Sequence, residues 1–335
     1  RGASPATAGR PATAGRPATA MRKHLILVAL AAMVLYVPFL GNRFTSDDRF
    51  FLMEIPFTHD LRNLGKLASP DYFDLWPDAP GWRPLAAASH MVDYALWGLS
   101  PAPRRVPNLL AHGANSVLVY ALARSLTGRP DAALAAGLLF ALHPVHSETV
   151  FGAYFRTDSV ATLGVLLGLL LYRRWDASKS FLRSPAAWGA VGALAVGAGF
   201  KEGALVLVPL LWLHDRCGRM DRLLPFFAFI GPYAAFRVWV LPGQQTVTLP
   251  AHAATWAGEL GVNLLTLCKS LVTYVRLAVW PYPLALHHDI VPARGLEGAV
   301  IMGLAVLAAW VILISRSWRS RPVAAFGLAW AGLAY

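Results

Sequence analysis

Every second apolar run in this chain ends on a cluster of arginine and lysine. Arg22 and Lys23 precede a run from Leu25 to Leu40. Later runs finish at Arg124 and Arg129, at Arg173, Arg174, Lys179 and Arg183, at Arg216, Arg219 and Arg222, and at Arg316, Arg319 and Arg321. The junctions between them carry few positive charges. Membrane proteins show this alternation because cytoplasmic loops retain Lys and Arg. The pattern predicts an all-α, polytopic transmembrane bundle with crossings at 24–41, 106–123, 132–147, 158–172, 185–200, 203–214, 223–241 and 298–315. The N-terminus and residues 173–184, 215–222 and 316–321 fall inside, and a long first loop, 42–105, falls outside. Composition agrees. Only 14% of the 335 residues are charged, against about 25% in a soluble domain. High hydrophobicity excludes a disordered protein, and two cysteines exclude a disulfide scaffold. The 30 basic residues against 18 acidic ones are scattered between apolar runs rather than gathered on one stripe, so no nucleic acid is expected as partner.

Residues 1–20 repeat the unit ATAGRP and contain no large apolar side chain. They are expected to be disordered, with the membrane domain covering 21–335. No small-residue cleavage site follows the first run, so it reads as an uncleaved anchor. An apolar run begins near Val323 and is interrupted at Tyr335, as in a domain cut short. Residues 258–283 break the parity of crossings. They read as an amphipathic helix lying on, or re-entering, the outer surface.

Few residues in such a chain can carry chemistry. Asp47 and Asp48 follow the first run directly. Adjacent carboxylates at a membrane face suit a general base and its orienting partner, and equally a solvated helix cap. Arg83 opens a helical stretch in which His90 and Asp93 share a face. Asn108 and His112 sit four apart in the next run. His143, His146, Glu148, Arg156 and Asp158 gather at one turn and read as the wall of a polar pocket. Their spacing is not that of a zinc-protease helix, so no metal site is assigned, although a divalent ion remains compatible. Lys201 and Glu202 lie between two apolar runs, and Arg237 lies inside one. A cation there needs an anionic partner or a route to water. Lys201 and Arg237 suit a phosphate, and are equally read as an ion pair with Glu202 and a snorkelling arginine. No Walker loop, GxGxxG, GxSxG or CxxC motif is present.

The order of these motifs, RPL, VPNLLAH, ALHPVHSETV, RTDSVA, KEGALVLVPL, FRVWVLPG and VWPYPLALHHD, resembles the membrane half of the transmembrane and tetratricopeptide-repeat (TMTC) O-mannosyltransferases. The resemblance covers 24–335. It implies a GT-C-type glycosyltransferase that moves a sugar, mannose or another hexose, from a polyprenyl-phosphate donor to an extracytoplasmic hydroxyl. The acceptor it implies is protein Ser/Thr, or a glycan. Asp47 or Asp48 is then the base, and Arg156, Lys201 and Arg237 the donor-phosphate clamp. Arg83, His143, His146, Glu148, Asp158 and Glu202 are further pocket candidates. The donor carries the activation, so no separate cofactor is implied. Ala/Gly/Arg-rich composition points to a bacterial inner membrane with the site facing outward. Two other classes stay open, a lipid or solute transporter and a non-catalytic membrane scaffold.

Overall fold

The computed structural model describes residues 16–45, 47–75, 81–176, 178–216, 219–240, 256–285, 288 and 290–334. Those residues form helices and turns, with no strand among them. The principal helices are α1 (Arg16–Val34), α2 (Pro84–Trp97), α3 (Pro101–Thr127), α4 (Pro130–Leu142), α5 (Ser147–Phe151), α6 (Arg156–Arg174), α7 (Pro185–Phe200), α8 (Leu207–His214), α9 (Met220–Val240), α10 (Trp256–Val279), α11 (Gly298–Ser320) and α12 (Pro322–Ala334). Residues 16–20 of the repeat extend α1, whereas 1–15 lie outside the described residues.

Helix α3 is the axis of the fold. Its 27 residues span about 40 Å at 1.5 Å each. Pro101 fills its first position, where a missing N–H costs nothing. Gly128 ends it in a left-handed conformation (φ 71°) and donates to Arg124 O at 3.0 Å. It begins earlier than the apolar run does, because Arg104, Arg105, Asn108, His112, Asn115 and Ser116 are buried on its inner face. Those side chains disguise a central helix as a polar flank.

Helices α6 and α7 pack in close contact. A Cβ placed on Gly164 would lie 2.6 Å from Ala193 O, so only glycine allows this contact. Around it Leu166, Leu169, Leu194, Leu207, Leu210 and Phe226 form the main core.

The expected crossing at 132–147 ends early. His143 precedes a proline and adopts an extended conformation, so α4 stops at Leu142. One tight turn, α5 and a break at 152–155 follow, and α6 leaves at 115° to the preceding segment. Among the described residues three helices are long and apolar enough to cross a membrane by themselves: Thr19–Phe39, Leu260–Val279 and Gly298–Ser320. The bent pair makes a fourth if counted as one span. Of the eight crossings expected from the sequence, 24–41 and 298–315 fall on such helices and 158–172 falls on the second arm of the bent pair, whereas several of the others fall on helices of 8–16 residues or, for 106–123, on a helix that buries a polar stripe. Together the candidate spans support an integral membrane protein. Helix α10, expected on the surface, includes one of these candidates. Its middle meets the start of α11, where Lys269 bonds Glu297 at 3.0 Å, and its last turn meets His143 at 3.1 Å.

Candidate functional site

Two loops and three helix ends converge at the end of the bundle opposite the arginine clusters. The scaffold is a buried polar hub. Arg105 donates to the carbonyls of Leu40 (2.9 Å), Asn42, Arg43 (3.0 Å) and Phe151. It also lies 3.8 Å from Asp48. Asp48 is 1% exposed and accepts the backbone N–H groups of Ala153 (3.0 Å) and Tyr154 (2.8 Å). The 152–155 break leaves those donors without helical partners, and the carboxylate satisfies both. Burial pushes the Asp48 carboxyl above its ordinary range, against the opposing pull of the two amides and of Arg105 and Arg104.

The acidic pair is thereby divided. Asp48 is closed off inside the hub, whereas Asp47 is half-buried and near enough for its charge to act on the Tyr154 phenol. The charges of Arg83 and Asp158 act on the same phenol.

Around Tyr154 stand the charged side chains singled out in the sequence. Glu202 is shared by Arg83 at 3.2 Å and Arg237 at 3.6 Å. Lys201 pairs with Asp158 at 2.5 Å, not with its neighbour Glu202. Their side chains retain between 12% and 35% exposure, so the cluster is reachable from solvent. Glycine at 81 is required beside it, since φ is +153° and a Cβ would lie 3.2 Å from an Arg237 nitrogen.

Arg156 is not in this cluster. It is 4% exposed and turned inward, bonding Asp93, Asn108 Oδ1 (3.3 Å) and Arg104 O (2.8 Å). It joins α2, α3 and α6, and the structure does not bring it together with Lys201 and Arg237, the other two residues of the expected clamp. His90 packs nearby with 0% exposure, its ring 6.0 Å from that of Tyr154. Burial, then the charges of Arg156 and Arg104, hold its imidazole well below the ordinary value and hence neutral.

His143, His146 and Glu148 lie across the break from the ion cluster. His146 packs at a tilt against Phe140 and His112, and Glu148 lines a cavity of about 690 Å³. Arg43, Arg105, Phe155, Tyr274 and His288 line the same cavity. It is thus polar where the first loop enters and apolar along α10. Among the described residues no three His, Cys, Asp or Glu side chains are grouped to hold a metal ion. Sequence reasoning missed Arg105 and Tyr154. Arg105 reads as a flanking charge beside Arg104, and its signal was an arginine leading into an apolar run with no nearby carboxylate.

The chain is 32% identical to Protein O-mannosyl-transferase Tmtc2 of Drosophila melanogaster over 272 residues, which is 75% of this chain and 29% of that protein. It is 34% identical to Protein O-mannosyl-transferase Tmtc1 of the same fly over 147 residues, 43% of the chain and 17% of that protein. Human Protein O-mannosyl-transferase TMTC2 is 28% identical over 199 residues, 55% of the chain and 23% of that protein. The chain is a relative of the TMTC protein O-mannosyl-transferases. It spans less than a third of the length of these relatives. No family model and no solved structure matches it.

Proposed function

We propose that this chain is the membrane domain of a GT-C-type glycosyltransferase. It moves mannose, or a related hexose, from a polyprenyl phosphate to a protein Ser/Thr hydroxyl at the outer face of a bacterial inner membrane. The observation that carries this reading is the gathering of Arg83, Lys201 and Arg237 with Asp47 and Tyr154 at one solvent-reachable point. The names of the relatives supply the reaction class.

The chemistry follows from the charges. The acceptor oxygen bonds to the sugar C1 while the bond from C1 to the phosphate oxygen breaks. The hydroxyl proton passes to Asp47, and the polyprenyl phosphate leaves with an extra negative charge. Arg83 and Arg237 meet that charge with planar forks and Lys201 with a point charge. Glu202 and Asp158 hold the three cations in place until the donor arrives. Asp48 positions Asp47 through the backbone and takes no proton. The cavity of about 690 Å³ suits an amphipathic substrate, with the polar part at Arg43 and Glu148.

The test is transfer of labelled mannose from a polyprenyl-phosphate donor to Ser/Thr peptides by the purified protein. Mass spectrometry of extracytoplasmic glycoproteins with and without the gene accompanies it. Transfer that depends on Asp47 is expected. Unaltered glycoproteins, together with no transfer from any lipid-phosphate sugar, would sink the reading.

A further inference from the structure

The opposite end of the bundle holds a second pocket that the transfer reaction does not use. It has a volume of about 210 Å³ and is lined by Arg173, His214, Arg216, Trp318, Phe326 and Leu126, among others. Arg173 closes α6, His214 closes α8, and Phe326 lies in the second turn of α12. Trp318 comes from the last turns of α11.

Neither arginine here has a direct carboxylate partner among the described residues; Asp215 reaches Arg173 only through the ring of His214, whose Nδ1 it meets at 3.1 Å. Arg173 is held by neutral groups, with Nε on Ser125 Oγ at 2.9 Å, Nη2 on Ser125 O at 3.0 Å and Nη1 on the His214 ring. The carboxylates of this end are already engaged. Asp131 pairs with Arg129 at 3.9 Å, Asp176 with Lys179 at 3.9 Å, Asp215 with Arg222 at 3.3 Å and Asp221 with Arg219 at 2.9 Å. The first turn of α12, which faces the pocket, contains no acidic residue. Neither Arg173 nor Arg216 has a carboxylate partner among the described residues. The C-terminal dipoles of α6 and α8 supply at most about half a negative charge each. About one positive charge is left over beside apolar walls. A half-buried guanidinium held only by neutral acceptors calls for an anion.

We propose that this pocket binds the phosphodiester of an anionic phospholipid. One negative charge matches the surplus. A tryptophan beside two arginines is the composition of the headgroup level of a bilayer, and Leu126, Val323 and Phe326 would meet the glycerol backbone and the first acyl carbons. A free phosphate would leave those walls unused. The pocket is remote from Asp47, so its occupancy and the proposed transfer reaction stand or fall separately.

The experiment takes the purified protein in detergent. Phosphatidylglycerol, phosphatidylcholine or soluble glycerol phosphate is titrated in, with lipid retention read by native mass spectrometry and unfolding by thermal denaturation. Phosphatidylglycerol should be retained and raise the melting temperature, whereas phosphatidylcholine should do neither. Arg173→Gln should weaken retention about fivefold, the factor that about 1 kcal/mol per cation gives. Arg216→Gly should weaken it similarly. Arg216 has a φ of 52°, a conformation glycine adopts freely, so that variant should fold at least as well as the parent. Arg319→Gln, which removes a charge from the same end but outside the pocket, should leave retention unchanged. The proposal is overturned if Arg319→Gln weakens retention as much as Arg216→Gly does. It is overturned too if the Arg173/Arg216 double variant retains phosphatidylglycerol normally, or if glycerol phosphate protects as well as the lipid.

Discussion

The two ends of this bundle treat positive charge in opposite ways. Beside Tyr154, Arg83, Arg237 and Lys201 each have a carboxylate partner, drawn from Glu202 and Asp158. At the other end Arg173 and Arg216 have none among the described residues, and carboxylate partners go to neighbours such as Arg222. The first arrangement pre-orients its cations and lets a ligand displace a carboxylate. The second leaves a deficit that the proposed lipid phosphate would fill. On the two proposals, similar residues would serve reversible binding of a reactant at one end and steady contact with the bilayer at the other.

The sharpest way to break this comparison lies in the acidic pair. Asp48→Ala removes the acceptor of two buried N–H groups and strips Arg105 of its counter-charge. Disrupting a buried pair in this way costs about 3–5 kcal/mol. The expected result is loss of the monodisperse peak in fluorescence-detected size-exclusion chromatography. Asp47→Asn should elute as the parent does and lose about 10²- to 10⁴-fold in transfer rate, the range of general-base catalysis. If the two variants exchange these phenotypes, the assignment of roles within the pair is reversed.

A smaller effect is expected from Arg237→Lys, which keeps the charge and loses the fork. Donor affinity should fall about tenfold while the catalytic rate at saturating donor changes less. The measure is the donor concentration at half-maximal transfer. Smallest of all, Arg319→Gln should leave transfer within experimental error, since isolated exposed charges contribute about 0–1 kcal/mol. A loss of transfer in that variant would tie the two ends together.

Much of this contrast can be read from residue order. Lys201, Glu202 and Arg237 stand out because charges flanked by apolar residues must be used, and the fold brings them to one place. The basic clusters mark the helix ends for the same reason. Arg156 defeats such reading. It is as conspicuous as Arg237, but which side of α6 it occupies depends on Asp93 and Asn108, 63 and 48 residues away in the chain. The difference between Asp47 and Asp48 is hidden more deeply. It rests on two backbone N–H groups freed by the turn at 152–155, and a backbone group has no letter in the sequence. Hydropathy alone places the start of helix α3 too late, because it takes buried arginine and asparagine for a loop.

The bond from Asp48 to Ala153 also sets an order of assembly. Asp48 is separated from its donor, the Ala153 N–H, by 105 residues. At a synthesis rate of about 5–20 residues per second, it waits on the order of 10 s for the break to be made. During that interval the first loop has α1 behind it and, once α3 is made, Arg105 against its carbonyls, but not the two N–H groups that receive Asp48. The carboxylate must stay hydrated, and the segment carrying Asp47 has no fixed shape. The hub around Asp48 is thus completed only after α6 has begun to emerge, so a chain arrested before residue 153 would carry its acidic pair with no buried place for Asp48.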